Sequence, residues 1–431
     1  MKTAAFYTLG CKVNQYETEA VSELFSNNGY KIVPFSDKAD YYIINTCSVT
    51  SMSDRKSRQV IRRAKKTNPD AVIAVMGCYS QTAPDEVLDI DGVNLVLGTK
   101  DKGSIINLVK SLTASDKLNA VTSVKDNHEY ENLTVTRTAD RTRAYIKIQD
   151  GCSQFCSYCI IPYARGPIRS RCEADIISEV ETLADAGYQE IVLTGIHAAS
   201  YGKDLEGTSL AVLLNKLDKI DKIKRIRLSS IEPMTLNAQF VEDIKGCKKL
   251  CPHFHISLQS GCDATLKRMN RHYTTAQFEE VVEGLRSAFS DCAITTDIMT
   301  GFAGETDEEF ADTLEFVKRI AFSEAHIFQY SQRRGTPAAR RPDQVSPVIK
   351  EQRSKEIISV TEKSKTEFLK RHTGKVMEVL FETVTPDGLY EGKTANYITV
   401  HAGADTDVRG KFKNVMLGDV KDGIIFGKTV D

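Results

Sequence analysis

The sequence predicts an α/β chain in three parts. These are an N-terminal doubly wound α/β domain, a central partial (βα)6 barrel and a small C-terminal β-barrel. Three observations carry this. Residues 1–114 alternate strand-like and helical patterns, and the run at 71–76 is nearly all apolar, as a buried parallel strand requires. From residue 143, strand-like runs at 144–149, 190–194, 224–229, 254–258, 293–299 and 325–330 recur with helical patterns between them, a βα repeat of barrel type. After residue 373 the pattern changes to short alternating runs broken by Gly and Asp turns, which suits a small barrel. The expected domains are 1–114, 138–369 and 371–431, with 115–142 as a connector that holds one edge strand.

Composition narrows the function classes. The chain has 431 residues, enough for several domains with a real core. It carries 57 basic and 58 acidic residues, so any nucleic-acid contact must come from local patches rather than from global charge. The eleven cysteines are an odd number in a long chain, which favours metal ligation and a reducing, cytoplasmic setting. Thr8-Leu9-Gly10-Cys11 resembles a lipoprotein cleavage box, but the apolar stretch before it is too short for a signal segment. No run approaches the length of a membrane span, so no membrane partner is expected.

In the N-terminal part, strands are expected at 4–9, 41–45, 71–76 and 94–97, with helices at 14–27, from an N-cap at Ser53 to Lys66, and from about 101. Cys11, Cys47 and Cys78 each fall one or two residues after one of the first three strands. Parallel strands share one carboxyl edge, where ligands bind, so these cysteines should meet in space. They read either as a three-thiolate centre or as small buried residues. The helix at 53–66 is strongly basic, and Arg55, Arg58 and Arg62 share one face. That face is either a solvated helix surface or a phosphate-contacting stripe.

The central part opens with Asp-Gly-Cys-Ser-Gln-Phe-Cys-Ser-Tyr-Cys at 150–159. Cys152, Cys156 and Cys159 stand in CxxxCxxC spacing, with Tyr158 before the last. Clustered thiolates select iron–sulfur clusters, zinc or copper. Three are one short of a closed structural zinc site, so a bound centre would keep one position open. An inert buried trio is the alternative. Barrel active sites gather at the carboxyl ends of strands. The cysteine loop lies at one such end, and Thr194, Gly195, Glu232 and Gln259 lie at others. Period-two alternation puts His255, Ser257 and Gln259 on one lumenal face. In the C-terminal part Arg409, Lys411 and Lys413 alternate around Phe412. Residues 373–431 hold seven basic and nine acidic side chains, so an RNA role would depend on their placement.

Together these stretches resemble the radical S-adenosylmethionine (SAM) methylthiotransferase family, over essentially the whole chain. The matching stretches are 9–14, 45–47, 76–78, 151–159 and 257–261. Residues 45–50, 54–59 and 160–166 look most like the branch acting on N6-threonylcarbamoyladenosine in tRNA. Glutamines at 329 and 332 and Ala303 stand where the family usually has proline. The resemblance implies a radical SAM core, a TRAM-like barrel, two 4Fe-4S clusters and SAM. It implies that Cys152, Cys156 and Cys159 hold the catalytic cluster, and that Cys11, Cys47 and Cys78 hold a second. Tyr158, Thr194, Gly195, Glu232, Gln259 and Asp297 would bind SAM. Arg55, Arg58, Arg62, Arg409, Lys411 and Lys413 would contact RNA. The implied reaction adds a methylthio group at adenine C2 beside the anticodon (position 37). Implied partners are tRNA, an electron donor of flavodoxin or ferredoxin type and a sulfur donor. The alternatives are isopentenyladenosine tRNA, a ribosomal-protein aspartate, or a non-enzymatic electron carrier.

Overall fold

The computed structural model describes residues 1–137 and 142–430. The expected start of the central part at 138 and the last residue, 431, lie outside the described residues.

The N-terminal part is one parallel sheet of β1 (Thr3–Thr8), β2 (Lys31–Val33), β3 (Tyr41–Thr46), β4 (Val72–Gly77), β5 (Val93–Val96) and β6 (Leu118–Asn119), in the order β2-β1-β3-β4-β5-β6. β3, β4 and β5 are buried throughout, which explains their unbroken apolar runs. β6 is the edge strand expected in the connector. β2 has no counterpart in the sequence reading, because its three residues are too few and too exposed to carry a pattern. Helix α1 (Lys12–Asn27) follows β1, and α2 (Ser51–Thr67) follows β3. The N-cap of α2 is Thr50, not Ser53. Thr50 has the extended backbone a cap needs, and its Oγ1 accepts the Ser53 N–H at 3.2 Å, so Ser53 already lies in the first turn.

The central part contains β7 (Arg143–Asp150), β8 (Arg169–Ser170), β9 (Glu190–Gly195), β10 (Arg225–Leu228), β11 (His253–His255), β12 (Ala293–Thr300) and β13 (Glu324–Gln329). The strands form two sheets, β10-β9-β7-β8 and β11-β12-β13. Single parallel bridges, Ile226 to Leu250 and Ile231 to Ile256, join the two across β10 and β11. Apart from the antiparallel stub β8, the strands run parallel around a partial barrel. The strand expected at 254–258 is shorter. Beyond His255 only isolated bridges persist, and Gln259 takes φ 69°, outside strand geometry. Ile146, Leu193, Ile226, Phe254 and Ile298 lie in the same buried core, the barrel's hydrophobic centre.

Strands β14 (Val376–Val384), β15 (Tyr390–Thr394), β16 (Thr399–Gly403), β17 (Phe412–Lys421) and β18 (Ile424–Val430) close into the C-terminal barrel expected of a TRAM-like domain. The helix Pro347–Lys370 leads into it, and Phe368 and Leu369 at its end join the barrel's core. The barrel is fastened to the central part by two arginines of β10. Arg225 donates to the carbonyls of Glu378 at 2.7 Å and Lys393 at 3.1 Å. Arg227 donates to those of Ala395 at 2.9 Å and Thr394 at 3.3 Å. Buried Glu190 pairs with both, at 3.0 Å from Arg227 and 3.6 Å from Arg225.

Replacing Arg227 with Ala leaves Glu190 short of a cation and removes a donor from the Ala395 carbonyl, while the Thr394 carbonyl keeps the Tyr397 N–H at 3.1 Å. We expect a loss of about 3–5 kcal/mol in denaturant unfolding, and faster proteolysis between the central part and the barrel. Wild-type unfolding in the variant would show that this junction does not depend on the arginine.

Candidate active site and metal centres

β1, β3 and β4 are sheet neighbours whose ends align, Thr8 with Asn45 and Thr46 with Gly77. Cys47 and Cys78 directly follow their strands, and Cys11 lies just past β1. The turn that brings Cys11 in needs a glycine. Gly10 has φ 106°, and a Cβ on it would stand 2.8 Å from Cys47 Cβ and 3.1 Å from its sulfur. Gly77, at φ 102°, would clash likewise, 2.4 Å from Asn45 Oδ1. The three thiols lie within one another's electrostatic field. Burial raises the Cys47 thiol and pushes that of Cys78 up to about 12, against the pull of Arg165.

The second trio sits at the carboxyl end of β7. The loop is pinned on both sides. Cys152 N–H bonds Gly166 O at 3.0 Å, and Ser157 N–H bonds Met269 O at 2.9 Å. Ser157 O accepts from Ala338 N–H at 2.8 Å. Burial pushes Cys152 up to about 11 and Cys159 to about 12. At neutral pH both would remain thiols unless a metal centre displaced the protons.

Sequence reasoning missed what supports these sulfurs. Each trio has a buried arginine on one of its members. Arg165 Nε lies 3.4 Å from Cys78 Sγ, and Arg271 Nη1 lies 3.3 Å from Cys156 Sγ. Arg165 is wholly buried and crosses between the two parts of the chain. It stands on the short helix Ile161–Arg165 after the core loop, yet it bonds Glu17 at 2.6 Å and Asn14 at 2.7 Å on α1. Asp150, Lys147 and Lys102 complete the network, with Lys147 2.7 Å from both Glu17 and Asp150. Burial alone would raise the Glu17 and Asp150 carboxyls. The surrounding cations outweigh it and hold both well below the usual range. No spacing rule signals Arg165 or Arg271, because their partners lie far away in sequence.

A cavity of about 300 Å³ adjoins the core cysteine loop. One wall is Tyr158, Cys159, Ile160 and Ile161, and another is Val49 and Thr50, just past Cys47. Gln259, Asp297 and Gln329 also line it. Of the residues expected to bind a cofactor, Tyr158, Gln259 and Asp297 therefore meet here. Asp297 is held by His255 Nε2 at 3.1 Å. Gln259 Oε1 is buried with no hydrogen-bond partner among the described residues. Thr194, Gly195 and Glu232 do not line the cavity. Glu232 stands 4.0 Å from both Arg271 and His197, whose imidazole burial pushes down to about 4. Gly195 packs on Gln149, whose Oε1 accepts from His197 N–H at 2.8 Å.

The basic residues separate. Arg55 and Arg62 are exposed, while Arg58 bonds Tyr79 OH at 2.8 Å and Glu86 at 3.3 Å. Arg409 is paired with Asp407 at 2.6 Å, and Lys411 bonds the Asp407 carbonyl. Lys413 is exposed. Phe412 is not at the centre of a free basic surface. Lys224 and Arg225 of the central part lie over its ring at 5.0 and 4.6 Å.

Residues 3–98 match the family described as "Uncharacterized protein family UPF0004", and residues 146–317 match the Radical SAM superfamily. The threonylcarbamoyladenosine tRNA methylthiotransferase MtaB of Bacillus subtilis is 43% identical over 97% of this chain and 94% of its own length. The chain belongs to the radical SAM methylthiotransferases. MtaB of Thermotoga maritima is 41% identical over 92% of this chain and 91% of its own length. The tRNA-2-methylthio-N(6)-dimethylallyladenosine synthase of Acetivibrio thermocellus is 36% identical over 98% and 90%. Among solved structures, the radical SAM methyltransferase TsrM from Kitasatospora setae shares the fold. Its TM-score is 0.60 at 11% identity, over 84% of this chain and 89% of that one. Membership implies SAM and a 4Fe-4S cluster, and the donor set fits the cluster. Cys152, Cys156 and Cys159 stand on one loop, Cys159 lines the cavity, and a buried cation stands at the Cys156 sulfur.

Glu17 and Asp150 tie the stability of this methylthiotransferase to pH. Their folded-state pKa values are depressed, so their stabilisation is present above the unfolded value of about 4 and is lost as pH falls from there toward the folded values. We expect the melting temperature of the metal-free chain to fall progressively as pH drops below about 4. In Glu17→Gln the drop should be shallower. An identical profile would remove Glu17 from the linkage.

Proposed function

We propose that the chain is a tRNA methylthiotransferase that adds a methylthio group to adenine C2 of N6-threonylcarbamoyladenosine beside the anticodon, at position 37. The observation that carries this is the cavity whose lining joins Cys159 of one trio to Val49 and Thr50, which closely follow Cys47 of the other. When bound, two 4Fe-4S clusters and SAM supply the radical and sulfur chemistry that an unactivated C–H bond demands.

The chain's own residues hold and orient. Cys152, Cys156 and Cys159 are the ligands of the SAM-side cluster, and Cys11, Cys47 and Cys78 those of the sulfur-side cluster. Arg271 and Arg165 each place positive charge and an N–H on one sulfur, which favours the ligating thiolate. Tyr158, Gln259 and Asp297 line the cavity with an aromatic ring, a side-chain amide and a carboxylate anchored by His255. Glu232, Thr194 and Gly195 shape the neighbouring barrel mouth. Arg55 and Arg62 offer phosphate contacts on a helix that begins at the cavity wall. Of the three basic residues expected to contact RNA in the C-terminal barrel, Lys413 is exposed, while Arg409 and Lys411 contribute only if they exchange Asp407 for phosphate. The domain limits 1–114, 138–369 and 371–431 follow the same division of labour.

The threonylcarbamoyl substrate is favoured by the names and identities of the two MtaB relatives. The dimethylallyl relative, also similar along most of its length, supplies the second reading. A reducing, cytoplasmic setting with an electron donor of flavodoxin or ferredoxin type and a sulfur donor completes the proposal. All eleven cysteines are free in the structure, as such a setting requires.

Mass spectrometry of tRNA nucleosides decides the substrate. Cells lacking the protein should lose the methylthio form of N6-threonylcarbamoyladenosine, and the wild-type gene should restore it. A Cys47→Ala gene should not, and that variant, reconstituted anaerobically, should hold about half the iron while still producing deoxyadenosine from SAM. Loss of a methylthiolated dimethylallyl nucleoside instead would favour the second reading. In a separate measurement, charge reversal at Arg55 and Arg62 should lower the slope of log affinity for tRNA against log salt. The expected change is about 0.9 for each phosphate that is no longer neutralised. An unchanged slope would return α2 to a solvated surface.

A further inference from the structure

Most large apolar side chains of this chain are buried, but four exposed ones stand on the segments that wall the central cavity. Val49 is 55% exposed and Met52 54%, at the start of α2. Phe155 is 52% exposed, inside the cysteine loop, and Tyr163 is 49% exposed, on the helix that follows it. Cys159, Ile160 and Ile161, which line the cavity, lie between Phe155 and Tyr163 in the chain. The two aromatic rings meet edge to face, with centroids 5.9 Å apart and planes at 78°.

Folding does not explain Phe155. Its φ is 47°, in the left-handed region that glycine adopts most easily. The backbone there is held from outside, because Asn270 Nδ2 donates to Phe155 O at 3.0 Å and Gln154 O at 3.4 Å. A residue in a disfavoured conformation whose ring is half in water adds little to the core. Its ring instead meets that of the half-exposed Tyr163, four residues past the cavity-lining Cys159. Exposed basic side chains stand on the neighbouring segments. Arg55 and Arg62 are exposed on α2, and Lys267, His272 and Arg334 are exposed on segments that contact the cysteine loop or its neighbour Ile160. An aromatic surface within reach of dispersed positive charge is the pattern that receives single-stranded nucleic acid.

We propose that Phe155 and Tyr163 form a stacking platform for a nucleobase next to the one that enters the cavity. This rests on the reading of the substrate as tRNA. A base lodged in the cavity must leave its own stack, and its neighbour loses a stacking partner at the same moment. The aromatic pair replaces that partner. The platform therefore favours the splayed loop over the stacked one and helps to hold the target base in place.

The test uses the full chain with its clusters reconstituted anaerobically. The probe is an anticodon stem–loop RNA carrying N6-threonylcarbamoyladenosine, with 2-aminopurine placed in turn on either side of it. Wild-type protein should quench the fluorophore at one of the two positions on binding. Phe155→Gly suits the backbone, removes the ring, and should weaken binding about 5- to 100-fold with loss of the quench. Phe155→Trp should keep both. Should Phe155→Gly lose iron, Tyr163→Ala decides, because it lies outside the cysteine loop and should show the same loss of quench. Unchanged affinity and quench in these variants would overturn the platform. Normal RNA binding combined with slower reduction by a flavodoxin-type protein would also overturn it, and would make the face a docking site for that protein. If the wild-type chain bound none of these RNAs, the tRNA reading itself would fail, and the platform with it.

Discussion

The structure depends on one buried guanidinium. Arg165 reaches from the central part to Cys78, Glu17 and Asn14 of the N-terminal part, while Asp150 approaches it from the barrel strand behind. Burying a charge is costly unless its partners are close and well aimed. Here the cost is offset by carboxylates and cations arranged around the same point, with Lys102 and Lys147 sharing Glu17 with the arginine. The network constrains how the two parts can meet, since a shift would leave several charges unpaired in a dry interface. One residue thus supports a cysteine of one trio while standing a few residues from the last cysteine of the other.

A second junction works by the same physics at the opposite end of the barrel. Arg225 and Arg227 use their charge on Glu190 and their remaining donors on carbonyls of the C-terminal barrel. The arginine fork suits this role, because several N–H groups in fixed geometry can satisfy an acid and a backbone edge together. Phe412 is drawn into the same junction. The C-terminal barrel is therefore fixed to the central part, and any RNA it holds is presented at a set position relative to the cavity.

Between these junctions lies the cavity. Its walls come from both cysteine-bearing parts, so its shape exists only when they are docked. The partnerless oxygen of Gln259 and the His255-anchored carboxylate of Asp297 supply polarity inside. The four apolar side chains left in water on its flanking segments suit a ligand larger than the cavity.

Much of the architecture was legible in the residues. Strand and helix periods follow from burial on one or two faces, so both sheets, most core helices and the closing barrel could be read locally. The cysteine trios were also legible. CxxxCxxC is a short-range spacing, and three cysteines after three parallel strands share an edge by topology alone. Errors arose where local signals competed. Ser53 and Thr50 are both good caps, and backbone geometry chose Thr50. The strand at 254–258 kept its alternation but lost its ladder, where Gln259 leaves strand geometry.

By itself, then, the sequence determined the fold class, the two thiol sets and the family resemblance, because each rests on contacts that recur at fixed short intervals. Only the tertiary structure decided what surrounds the thiols. Arg165 lies 87 residues from Cys78 and Arg271 lies 115 from Cys156, so no periodicity relates them. The same holds for the basic residues. Charge along the chain is visible in sequence, but whether an arginine faces solvent, like Arg62, or a carboxylate, like Arg409, depends on what folding brings beside it.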